Sequence, residues 1–160
     1  MDELKIGNPW SILPIKNNKY ARDLTEVHLS DRGLDKLELF DQFPNLEEIW
    51  LNNNKLKNLD DIKHNFRSKK VFCQNNQVSN IDGLKNYKFL EVLLLGDNKL
   101  RDLDKFLLVI CKFAFMQQLD LFGNPLAEEP DYRLKIIYLM PQVKTLDRHV
   151  VTVAERIKAK

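Results

Sequence analysis

Cysteine and glycine are both scarce in this chain: its 160 residues hold two of the first and five of the second. Two cysteines build no disulfide framework, and no Cys-rich terminal cap, signal peptide or N-x-S/T acceptor is present, which argues against the secreted branch of repeat proteins. Cys73 falls on an inward position and Cys111 in an apolar stretch, so both are expected to be buried thiols. The few glycines form no phosphate-cradling loop and no G-x-S-x-G elbow. His28, His64 and His149 lie far apart, without metal-ligand spacing. No catalytic residue, cofactor or metal is therefore expected. Charge of one sign is lacking too: 25 Lys and Arg against 23 Asp and Glu leave a net charge of +2, no global reason to expect nucleic acid. Hydrophobic residues at 44% and charged ones at 30% are ordinary for a globular chain and disfavour the disordered and membrane classes.

What is present is a period. From Arg32 a step of 22 residues reaches Asn54, Asn76 and Asn98 in turn, and a step of 26 reaches Asn124. The aligned units are LTEVHLSDRGL, LEEIWLNNNKL, SKKVFCQNNQV, LEVLLLGDNKL and MQQLDLFGNPL, which follow L-x-x-L-x-L-x-x-N-x-L. This predicts an α/β leucine-rich-repeat solenoid, with a short parallel sheet on the concave side and helices or turns on the convex side. Five units exceed the roughly three such an array needs to bury a continuous core. The fourth and sixth positions point inward: Val27/Leu29, Ile49/Leu51, Val71/Cys73, Leu93/Leu95 and Leu119/Leu121. Each consensus Asn is expected to satisfy backbone groups in adjacent turns, a structural role. Leu37, Leu59, Ile81 and Leu103 recur as convex anchors, and the longer return between Leu103 and Met116 reads as a fuller helix.

Three parts follow: residues 1–22 as an N-terminal segment or cap, 23–126 as five repeats, and 127–160 as a C-terminal cap with a terminal helix. In the cap, Pro130 stands near a helix start with Glu128, Glu129 and Asp131 around its positive end, and Pro141 stops that helix. Val143 and Leu146 restart the strand pattern with no sixth Asn, and Thr152 with Glu155 forms a capping box for the last helix. The first unit has Arg32 for Asn, and the third begins with Ser68 for Leu.

The run YRLKIIYLMPQVKTLDRHVVTVAER resembles the C-terminal cap of intracellular leucine-rich-repeat proteins, including the spliceosomal A-prime proteins. Together with PNLEEIWLNNNKL, Pro44 to Leu56, it is most similar to the small leucine-rich-repeat proteins of ciliary and flagellar axonemes. That resemblance, over residues 23 to 158, implies a non-catalytic scaffold in a microtubule-associated axonemal complex of the cytoskeleton. The alternatives are a spliceosomal ribonucleoprotein scaffold in the nucleus, or a phosphatase-regulating repeat protein.

Positions three, five and seven must face the concave side. The fifth column reads His28, Trp50, Phe72, Leu94 and Asp120; the seventh ends in Phe122. Trp50, Phe72, Leu94 and Phe122 are expected to form an apolar stripe, with Glu26 and Glu48 of the third column as an acidic end. Large exposed apolar patches mark interaction sites, and a stripe with one acidic end suits an amphipathic partner helix that has a basic end. The chain itself is expected to be a monomer. A basic run, Lys63, His64, Arg67, Lys69 and Lys70 beside Phe66 and Phe72, reads as a solvated edge rather than a nucleic-acid site.

Overall fold

The computed structural model describes residues 3–160; Met1 and Asp2 of the N-terminal segment lie outside the described residues. The elements in order are β1 (Ile6–Gly7), α1 (Asn18–Asp23), β2 (Glu26–His28), β3 (Lys36–Leu37), β4 (Glu48–Trp50), β5 (Lys70–Phe72), β6 (Val92–Leu94), α2 (Leu103–Ile110), β7 (Gln118–Asp120), α3 (Tyr132–Leu139), β8 (Thr145–Leu146), β9 (His149–Val150) and α4 (Val153–Lys158). Strands β2, β4, β5, β6, β7 and β8 pair in parallel in that order, and β9 folds back antiparallel on β8. Each repeat thus adds one strand. All ten inward residues predicted from the fourth and sixth positions are fully buried. The return segments are short 3₁₀ turns at Phe40–Gln42, Asp60–Ile62 and Asp82–Leu84, and only the longer fourth return winds into the helix α2.

The Asn ladder ties each repeat to its neighbour. Asn98 Oδ1 accepts from the Val78 N–H at 2.9 Å, while its Nδ2 donates to the Cys73 and Leu95 carbonyls at 2.9 and 3.0 Å. Asn54, Asn76 and Asn124 repeat this arrangement one register along. The residue before each ladder position, Asp31, Asn53, Asn75, Asp97 and Gly123, is left-handed. Asn, Asp and Gly are the residues that enter this conformation at least cost.

The irregular third repeat is repaired by hydrogen bonds. Ser68 Oγ donates to the Leu46 carbonyl at 2.7 Å, and Asn65 Nδ2 donates to Phe40 and Phe43 carbonyls at 3.0 and 3.1 Å, so the donors of these buried polar side chains are paired, while Asn65 Oδ1 has no partner among the described residues. At the N-terminal end β1 pairs with β3, Trp10 meets the Phe43 ring edge-on at 5.0 Å, and the Trp10 indole donates to Gln42. These contacts hold the segment on the return side of the first repeat.

Two expectations are corrected. The Glu129 carboxylate does not serve the start of α3; it accepts the Leu103 N–H at 2.8 Å, at the start of α2, and Glu129 meets α3 through its backbone carbonyl, which accepts the Tyr132 N–H at 3.2 Å. Cys111 is exposed, not buried. Helix α2 turns Leu103, Phe106, Leu107 and Ile110 inward, which places Leu108 and the following Cys111 on its outer side, so an apolar stretch is not a buried one. Cys73 is fully buried, and loss of water pushes its thiol up to about 12. In the native protein one thiol, Cys111, is expected to react promptly with a chromogenic disulfide reagent, and Cys111→Ser should abolish that signal until denaturant is added. Prompt reaction of both would mean that the third repeat opens.

Candidate partner-binding face

The parallel register places His28, Trp50, Phe72, Leu94 and Asp120 side by side on consecutive strands. Neighbouring strands lie about 4.8 Å apart, so planar side chains in one column must stack. His28 lies over Trp50 at 5.2 Å and 21°, and Trp50 over Phe72 at 3.8 Å and 19°. Stacking covers Phe72 down to 9% exposure, while Trp50 and Leu94 are half-buried and His28 is exposed. The stripe is therefore a pile of rings presenting edges and one outer face rather than four free apolar side chains. Trp50 Nε1 is buried with no hydrogen-bond partner among the described residues.

Beside this pile Glu26 and Glu48 face each other across β2 and β4. A hydrogen bond from Glu26 raises Glu48 above the ordinary carboxylate range, partial burial and the Glu26 charge add to this, and Lys70 and His28 oppose it. This end of the face is acidic, and Glu48 gives up its proton less readily than an isolated carboxylate would.

At the other end Asp120 is not free for a partner. It is buried, and Arg148 Nε donates to its carboxylate at 3.1 Å. The same guanidinium lies 5.1 Å from the centre of the Phe122 ring, which is itself 56% exposed. The Arg148 side chain also crosses Gly96, where an added Cβ would come 3.3 Å from its Nη2. Sequence reasoning missed Arg148 because the repeat pattern stops before it. Asp147 and Arg148 are both left-handed and turn β9 back along β8, and this reversal sends the arginine over the last repeat.

Asp147 lies beside Asp120 in the register, and its side chain stands in for a strand carbonyl: it accepts the Leu121 N–H at 2.7 Å, as the Asp120 carbonyl accepts the Leu95 N–H one repeat earlier, and it accepts from the Tyr132 hydroxyl at 2.8 Å. Burial raises its carboxyl, and those two hydrogen bonds pull it back. Behind it the predicted capping box is present: Thr152 Oγ1 accepts the Glu155 N–H at 3.2 Å, and Arg133 pairs with Glu155, holding that carboxyl down to about 2. The hairpin that carries Arg148 is thereby fixed on the solenoid.

The basic run divides between two surfaces. Lys70 stands in the third column beside Glu48 and Phe72 in the ring pile, whereas Lys63, His64 and Phe66 lie exposed in the turn before the strand. Among the described residues no group of three or more His, Cys, Asp or Glu is placed to hold a metal ion, and no helix is long and apolar enough to cross a membrane.

Comparison with known proteins agrees with this architecture. The chain is 29% identical over 148 residues to the probable U2 small nuclear ribonucleoprotein A' of Caenorhabditis elegans, an alignment that takes in 91% of this chain and 50% of that protein. The chain thus spans about half the length of that curated relative. Among solved structures it resembles one from the crystal structure of the Drosophila melanogaster SNF/U2A' complex, with a TM-score of 0.74 and 26% identity over 84% of this chain and 78% of that one. InlJ from Listeria monocytogenes shares the fold alone, with a TM-score of 0.62 and 22% identity over 78% of this chain and 25% of that one. A family model described as Leucine-rich repeat matches residues 34–160, and with the solenoid and its ladder in place the chain belongs to the leucine-rich-repeat family.

Proposed function

We propose that this chain is a non-catalytic scaffold of a nuclear ribonucleoprotein particle, and that its concave face holds an amphipathic helix of a protein partner. The observation that carries the reading is the ring pile His28–Trp50–Phe72, built across three adjacent strands and flanked by acid at one end and by Arg148 at the other. A helix laid along it would set apolar side chains against Trp50 and Leu94, a basic end over Glu26 and Glu48, and an acidic end towards Arg148. The partner contacts proposed for the face are thus Glu26, His28, Glu48, Trp50, Phe72, Leu94 and Phe122, with Arg148 in place of Asp120. Covering roughly 400 Å² of apolar surface contributes ~10 kcal/mol gross. Association costs of about 4–15 kcal/mol offset much of this. The charged ends then set direction and specificity more than affinity.

The nuclear ribonucleoprotein setting is supported by the two U2 A' relatives. The axonemal setting rests on the sequence resemblance alone. Affinity capture from native extract, with wild type and Trp50→Ala, with and without ribonuclease, separates the two. We expect ribonucleoprotein components whose protein partner survives ribonuclease and is lost with Trp50→Ala, a cost of about 2 kcal/mol or more in binding. The surface variant Glu26→Lys/Glu48→Lys, exposed at Glu26 and half-buried at Glu48, should weaken the same partner without lowering the melting temperature. Retention of all partners by both variants would remove the concave face from the reading, and ribonuclease-resistant capture of axonemal proteins would replace the setting.

A further inference from the structure

A second surface runs along the edge where each return segment enters its strand. There Phe66, Phe89 and Phe115, ahead of β5, β6 and β7, remain 41%, 46% and 57% exposed, although large side chains in the same turns, such as Tyr87 and Phe113, are buried. Phe89 and Phe115 lie 6.2 Å apart, centre to centre, with their planes 27° from parallel. Beside Phe66 opens a hollow of about 530 Å³ that Lys63, Lys85, Lys88 and Lys112 surround. These lysines come from three successive return segments, so the cluster is absent from any one stretch of sequence. Past Phe115 the edge continues to Lys144 and Arg156, and Glu91 is the one acidic side chain among the described residues lining these hollows.

We propose that this edge is a binding site for single-stranded nucleic acid, taken up without regard to base sequence, and that it acts independently of the concave face. Exposed rings offered one per repeat with a lysine cluster beside them match a chain whose bases alternate with backbone phosphates; bases can stack on the rings while lysines hold the phosphates. A duplex hides its bases and offers the rings nothing. The cations bordering the main hollow are lysines, point charges that suit phosphates at no fixed angle, whereas dedicated carboxylate recognition favours the planar arginine fork. That choice, and a row of exposed rings rather than a closed apolar trough, favours a nucleic-acid strand over an acidic protein segment. A net charge of only +2 puts the attraction in this local cluster rather than in the whole molecule.

The test is fluorescence anisotropy of the full chain with a labelled uridine 12-mer over a salt series. Phe89→Leu/Phe115→Leu, which keeps the surface apolar and removes the rings, should weaken binding about tenfold or more. Lys85→Ala/Lys88→Ala/Lys112→Ala should flatten the slope of log affinity against log salt by about 2, at ~0.7 for each phosphate no longer neutralised. Trp50→Ala should change neither, and a duplex of equal length should compete poorly. All the mutated edge side chains are exposed, and far-UV circular dichroism checks that the fold is kept. Failure of the 12-mer to bind at low salt would overturn the proposal. So would indifference to the ring variant, and so would equal or tighter binding of a glutamate-rich peptide, which would make the edge a site for an acidic protein segment.

Discussion

Asn98→Ala is expected to destabilise the protein by about 3 kcal/mol, on the order of 1–3 kcal/mol for the buried N–H left without a partner and ~0.5–1.5 kcal/mol for each of the two further hydrogen bonds lost, which lowers the melting temperature of a chain this size by roughly 10 °C. The side chain joins two repeats: it takes the Val78 N–H of one and gives both its hydrogens to carbonyls of Cys73 and Leu95. Alanine leaves the Val78 N–H without a partner in an apolar surrounding and removes one of two amide donors from each carbonyl, Cys73 keeping Asn76 Nδ2 at 3.3 Å and Leu95 keeping Asn124 Nδ2 at 2.8 Å. Asn98→Asp separates the two halves of the argument. It keeps the acceptor for Val78 but sets a carboxylate against two carbonyl oxygens, so it should be at least as damaging. Denaturant unfolding of both variants provides the measurement, read with attention to cooperativity because repeats can open separately. A loss below about 1 kcal/mol for Asn98→Ala would show that water enters the turn and satisfies those groups.

The ladder was legible in the sequence because its cause is local and periodic. A backbone turn that recurs every 22 residues needs the same amide every 22 residues, and the inward and convex apolar positions repeat for the same reason. The left-handed residue before each ladder position is equally periodic, yet it is occupied by Asp, Asn and Gly in turn, so the constraint is on backbone conformation and not on one side chain. The candidate face was read correctly in its register but not in its exposure. Predicting that Trp50 and Phe72 share a face does not reveal that they stack at 3.8 Å and hide one another. Asp120 was misread because its partner Arg148 belongs to the hairpin beyond the last repeat, where the period no longer reports on position. The basic edge was illegible for a further reason: the run at 63–70 supplies only part of it, and Lys85, Lys88 and Lys112 join it only once the turns are stacked.

Gly83→Ala should cost about 3 kcal/mol, the upper part of the range for forcing atoms into a closely packed site. The backbone there has no left-handed requirement, so the argument concerns space. A Cβ on Gly83 would lie 2.3 Å from the Leu59 carbonyl oxygen and 2.5 Å from its carbon, and main-chain atoms cannot swing aside as the end of a side chain can. Relief requires the turn Asp82–Leu84 to move away from the preceding turn Asp60–Ile62 on the convex side. The matching residue of that preceding turn is Asp61, whose carboxylate reaches out to accept the Leu37 N–H at 3.2 Å, so the first pair of turns is spaced by a side chain and the second pair by none. On the concave side the β4–β5 register is held by its own hydrogen bonds, including Leu51 N–H to the Phe72 carbonyl at 2.7 Å. The strain should therefore appear as lost stability while the Trp50–Phe72 stack persists. Unfolding measurements report the first quantity. Near-ultraviolet circular dichroism and partner capture per folded molecule report the second, and a loss of either in proportion to stability would mean that the convex turns and the binding face are one mechanical unit.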